Sequence, residues 1–135
     1  MRHHTLTATL ALVSLSAALA QTMMSHSGAF HTLAAPTTGT AVLHESGGQA
    51  TLELRNLKTE VGPGLQVWLY QGTAPMKGAK DATIARGKYV KLGELKKFSG
   101  NFTFKVPVGM KLSNYKSVVL WCDNVKTAFA AAPLQ

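Results

Sequence analysis

Apolar residues in this chain recur mainly at every second position, the period of a strand with one buried face, and no segment shows the three-and-four spacing of a long amphipathic helix. Ala50, Leu52 and Leu54 alternate with Thr51, Glu53 and Arg55, and Phe102, Phe104 and Val106 alternate with Asn101, Thr103 and Lys105. Both stretches predict half-buried strands. Residues 65–71 put Leu65, Val67 and Leu69 on one face and Trp68 and Tyr70 on the other, a strand covered on both sides. Residues 117–122, SVVLWC, go further: Val118, Leu120 and Cys122 share one face, Val119 and Trp121 the other, and neither face is polar. A strand of that kind belongs in the middle of a packed structure.

The remaining elements are shorter. Residues 40–44 predict a strand, followed by a hairpin loop at 45–49 in which Gly47 and Gly48 supply positive φ angles. Residues 56–64 read as a loop punctuated by Gly62-Pro63-Gly64. Residues 72–87 lack a strong period, with room for a short helical turn around 79–84, and 89–95 predict a strand broken at Gly93. Ser99-Gly100 reads as a turn, Pro107 ends strand pairing because it has no N–H to give, and 126–132 form a closing strand. Residues 21–35 have no clear period and read as an exposed lead-in that becomes ordered near Phe30. Seven to nine short strands with frequent turn signals make the fold class all-β: an antiparallel β-sandwich or squat barrel.

Residues 1–20 change the picture of where the protein works. A basic start at Arg2, an apolar centre over 6–17 and the small-residue pattern Ala18-Leu19-Ala20 predict an export signal cleaved near Ala20. The protein is therefore expected to be exported: periplasmic, held in the cell envelope or secreted. The apolar run is too short to span a bilayer, and no later segment approaches the necessary length of about 20 residues. Residues 21–27 are expected as a flexible leader and 28–135 as one β domain. Without Arg2 the chain carries 13 basic residues against 6 acidic ones, a formal charge of +7, with a concentration at Lys88, Lys91, Lys96 and Lys97. That balance suits anionic envelope or protein partners. Nucleic acid is not expected, because the lysines are spread along an exported chain. A solvated basic face serving solubility is the plainer reading.

Candidate chemistry centres on Cys122, the single cysteine. No intrachain disulfide can form, and an unpaired thiol in an oxidising compartment is either buried and inert, used chemically, or paired between molecules. Reactivity requires partial exposure and a nearby cation, and Lys116 and Lys126 are close in sequence, with Asp123 opposing them. A small buried hydrophobe is the competing reading. Met23, Met24, His26 and His31 form a second group whose thioethers and imidazoles suit copper, against the simpler reading of a leader of mixed composition. Trp68, Tyr70, Tyr89 and Trp121 would line a groove or fill a core, and the core is the commoner use of aromatics at strand spacing. No Cys-x-x-Cys-His, Gly-x-Ser-x-Gly or His-Glu-x-x-His occurs, which removes covalent haem attachment and the main hydrolase signatures and points away from an enzyme.

Taken in order, Gly28-Ala29-Phe30, Thr38-Gly39-Thr40, Gly62-Pro63-Gly64-Leu65-Gln66-Val67-Trp68-Leu69, Leu92-Gly93-Glu94-Leu95-Lys96, Ser99-Gly100-Asn101 and residues 115–122, then Phe129 and Ala132-Pro133-Leu134, resemble the DM13 domain family. That resemblance implies a small secreted all-β module proposed to act in electron transfer, with Cys122 as its redox atom and Trp121, Asp123 and Phe129 as the neighbours of any bound group. It leaves haem or copper conceivable as cofactors, though no motif demands either. Gly64 replaces the family's usual Asp, and Val125 replaces a usual aromatic, which predicts a looser surround for Cys122. Two functions follow as expectations: a single-thiol electron-transfer accessory of the envelope, or a non-catalytic binding module with a Lys-rich docking face and a purely structural Cys122.

Overall fold

The computed structural model describes residues 2, 8–14 and 23–135. The predicted export signal falls largely outside these, and residues 8–14 carry no helix or strand. Among the described residues nine strands form two antiparallel sheets packed face to face, an open sandwich rather than a barrel. One sheet has four strands in the order β1 (Met23–Ala29), β3 (Thr38–Ser46), β4 (Gln49–Lys58) and β7 (Ser99–Val106). The other has five: β2 (His31–Thr32), β9 (Thr127–Pro133), β8 (Ser117–Cys122), β5 (Leu65–Tyr70) and β6 (Tyr89–Glu94).

The doubly apolar strand β8 is the central strand of the larger sheet, and all six of its residues are buried. Its Val118, Leu120 and Cys122 join Leu65, Val67 and Leu69 of β5 in the layer between the sheets, against Leu43, Leu52 and Leu54 of the facing sheet. Burying each such side chain contributes about 1.5–3 kcal/mol, which makes this layer the main source of stability. Val119, Trp121, Trp68 and Tyr70 point the other way and form a second apolar layer.

That outer layer is roofed by the segment the period did not define. A short helix, α1 (Asp81–Arg86), drops Ile84 onto Trp68 and its neighbours. Polar contacts hold the roof: Tyr70 Oη donates to the Ile84 carbonyl at 3.1 Å, Ser117 Oγ to the Gly72 carbonyl at 2.7 Å, and Ala128 N–H to the Asp81 carboxylate at 3.0 Å. Burial of Tyr70 raises its phenol above the usual value.

Three local expectations are corrected. Residues 23–29 are not without structure but form β1, paired with β3 from Met23↔Ser46 to Ala29↔Thr40. An edge strand held by backbone pairing needs no apolar alternation, so its sequence gave no period. Its outer edge is met by Gln135, which exchanges backbone hydrogen bonds of 3.2 Å with Ser27 in both directions. Strand β4 does not end near Leu54 but runs to Lys58 through a bulge at Asn56, whose φ is 50°. Leu54 and Leu57 are three apart and would face opposite sides in a regular strand; the extra residue turns both inward. In consequence Ser99 and Gly100, expected as a turn, pair with Lys58 and Leu57 as the start of β7, and the chain reverses before them instead.

Candidate functional site: a sealed thiol

Cys122 ends β8 on its inward face and is 1 % exposed. Three features close around its sulfur. The β8–β9 ladder slips by one residue between Leu120 and Trp121, giving β9 an extra residue. That bulge lets Phe129 and Ala130, adjacent in sequence, both face the core, while Ala128 and Ala131 face the outer layer. Next, Gly62 lies directly on this ring and the sulfur. A Cβ added there would stand 2.8 Å from the Phe129 ring and 3.3 Å from Sγ, so only glycine lets the backbone serve as the cover. Finally, the thiol donates to the Pro63 carbonyl at 3.4 Å.

The covering loop is tied down at both ends. Leu65 N–H donates to the Gly62 carbonyl at 3.1 Å, and Asp123 N–H to the Gly64 carbonyl at 3.0 Å. Gly64 has φ +71°, and a Cβ there would meet Asn124 Oδ1 at 2.9 Å. Val61 and Val125, 75 % and 63 % exposed, flank the loop on its solvent side. The looser surround expected from Val125 is therefore corrected: Val125 turns to solvent and takes no part in enclosing the sulfur.

Of the expected neighbours, Phe129 shares the inner layer with Cys122, whereas Trp121 faces the outer layer. Asp123 binds Lys126 at 2.7 Å, and that ammonium holds its carboxyl below the usual range. Lys116 precedes β8 at the far end of the strand from Cys122, so neither lysine lies on the thiol. Gly62 and Pro63, the residues that cover the sulfur, were legible only as loop punctuation. With Gly62, Pro63 and Phe129 packed on it, the sulfur has no face open to a metal ion, and haem iron or copper on Cys122 does not fit this arrangement.

The other candidates are dispersed. Met23 is 75 % exposed, and His31, on the edge strand β2 of the other sheet, donates from Nε2 to the Pro75 carbonyl at 2.7 Å. Met24 and His26 stay together on β1. Among the described residues no three His, Cys, Asp or Glu side chains group as a metal site. Trp68 stacks on Tyr89 with ring centroids 3.6 Å apart and on Trp121 at 4.8 Å, a core use of these aromatics that leaves only Tyr89 markedly exposed. In the basic cluster Lys91 and Lys96 both bind Glu94, at 2.9 and 3.3 Å, and hold its carboxyl below the usual range. Lys88 and Lys97 have no ion-pair partner among the described residues.

One polar network on the outer face of the four-stranded sheet has a measurable pH signature. Glu53 accepts from Arg55 Nε and Nη2 at 2.9 and 3.0 Å and from His44 Nε2 at 3.0 Å. The Arg55 hydrogen bonds, then that of His44, hold its carboxyl down from 4.5 to about 2. A depressed folded value means that this network stabilises the fold above the unfolded value near 4.5 and is lost as the pH falls through about 2. Glu53→Gln is expected to flatten the stability profile across that interval, read by denaturant unfolding at successive pH values. An unchanged acid slope would remove Glu53 from the account.

The fold and site define a class: a two-sheet antiparallel β-sandwich with one thiol sealed at the end of its central strand. Residues 29–134 match the family described as "Electron transfer DM13", most of the chain, and the protein belongs to that family. No curated protein and no solved structure matches the chain significantly. No helix among the described residues is long and apolar enough to cross a membrane.

Proposed function

We propose that this DM13 protein is an exported electron-transfer accessory of the cell envelope, with Cys122 as its redox-active atom and the Gly62-Pro63 loop as the cover through which a partner reaches it. The observation that carries this reading is the thinness of the cover. The sulfur sits in the inner layer, yet a single loop backbone separates it from solvent, with Pro63 and Val61 exposed on the far side. A local opening of that loop costs far less than unfolding the sandwich, so the thiol is held closed at rest and reached by a small motion. An intermolecular disulfide would need the same opening.

The test is the alkylation rate of Cys122 in the folded protein against the denatured chain, followed by electron transfer in the Cys122→Ser protein. Labelling through local opening, at a rate insensitive to mild denaturant, with transfer lost in Cys122→Ser, supports the thiol. Labelling only on global unfolding makes Cys122 a core residue.

That second outcome favours the binding-module reading, for which the exposed Lys88 and Lys97 speak. Under it, Cys122→Ser leaves function intact, while charge reversal at Lys88, Lys91, Lys96 and Lys97 abolishes association with an anionic partner.

A further inference from the structure

A groove of about 300 Å³ opens at the end of the sandwich away from Cys122, lined by Met24 and His26 of β1, Leu43 and Glu45 of β3, and by Tyr115 and Lys116, which lead into β8. The length of β8 separates it from the sulfur, about 16 Å along the strand. Alternation on β1 sends Met24 and His26 to the same face, and the ladder sets Met24 directly opposite Glu45 and His26 opposite Leu43. Side chains directly opposite have Cβ atoms about 5 Å apart, and the next on the same face lie within reach of long side chains. A thioether, an imidazole and a carboxylate thus converge on one groove with an apolar floor.

The ionisable groups of the groove are unpaired, unlike most of their kind among the described residues, where Glu60, exposed to solvent, is the other exception. His31 and His44 each make a short hydrogen bond, and Glu53, Asp81, Glu94 and Asp123 all have partners. His26 and Glu45 have none among the described residues, although both line a cavity. The donor set selects the ion. With only one imidazole and one carboxylate, the site lacks the ligands that zinc or magnesium requires, and completing it takes the thioether, a soft donor that suits monovalent copper. Lys116 at the groove also disfavours a doubly charged ion more than a singly charged one.

We propose that this groove binds one copper(I) ion through Met24 Sδ and a ring nitrogen of His26, with the Glu45 carboxylate beside them balancing its charge. The proposal does not depend on the thiol reading. Its test uses the full chain, titrated anaerobically with copper(I) against a chromophoric copper(I) chelator, with zinc(II) as comparator. The wild-type and Cys122→Ser proteins are expected to hold one equivalent of copper(I) alike. Met24→Leu and His26→Gln are each expected to weaken it by at least about 100-fold, the upper end of what loss of an outer-shell partner brings. Both lie on an edge strand and are partly exposed, so thermal unfolding of the metal-free variants should match wild type and confirm their fold. Copper binding unaffected by either substitution, lost in Cys122→Ser, or equalled by zinc overturns the proposal. Electron transfer that survives in Cys122→Ser, with copper binding retained, rejects only the reading of Cys122.

Discussion

Trp68→Ala is expected to destabilise the protein by about 3–5 kcal/mol, the range for deleting a buried indole. Trp68 is 2 % exposed and sits at the centre of the outer apolar layer, stacked on Trp121 at 4.8 Å and 21° and on Tyr89 at 3.6 Å and 5°. Its Nε1–H donates to Gln66 Oε1 at 2.8 Å, so truncation leaves a cavity and strips Gln66 of this hydrogen bond. The roof suffers too, because Ile84 of α1 packs into the same layer. Trp68→Phe should recover part of the loss by refilling the volume without the N–H. Denaturant unfolding of both variants gives the answer. A loss for Trp68→Ala below about 1 kcal/mol, the level of a surface substitution, would mean that the outer layer lies outside the cooperative core.

Gly62→Ala is expected to cost about 1–3 kcal/mol, the range for overpacking, and to speed the labelling of Cys122 in the folded protein. Its new Cβ would stand 2.8 Å from the Phe129 ring and 3.3 Å from the sulfur, and Phe129, 9 % exposed, has little room to withdraw. The loop is the softer partner, tied by two backbone hydrogen bonds rather than built into a sheet. It should lift, breaking the Sγ–H to Pro63 contact and admitting reagent. The two readouts move together only when the cover is what seals the thiol. Lowered stability with no gain in labelling would place the strain on Phe129 and leave the loop closed, and the access route proposed for Cys122 would fail with it.

The candidate site was legible in part. A single cysteine on a doubly apolar strand marked the sulfur, and the family resemblance marked Phe129 near it. Trp121, adjacent in sequence, was expected beside the same group but faces the opposite layer, as strand alternation requires. The cover was not legible, because Gly62 and Pro63 lie some sixty positions from Cys122 and only packing brings them over it. The leader's four candidate ligands were likewise one group in sequence and three places in space: Met23 in solvent, His31 on the edge strand of the five-stranded sheet, and Met24 with His26 on the groove.

Periodicity alone determined the all-β class, sandwich or barrel, the inward faces of β4, β5, β7 and β8, and the central place of β8, because which way a strand residue faces is a local property of alternation. Three things were decided only by the tertiary structure. Strand β1 exists because β3 offers it a ladder. Bulges at Asn56 and Phe129 reset alternation, so Leu57 turns inward and Phe129 and Ala130 both face the core, and such parity depends on the pairing partner. Whether Cys122 meets solvent depends on which loop lies across it. Pairing and coverage are contacts between residues distant along the chain, and local pattern carries no record of them.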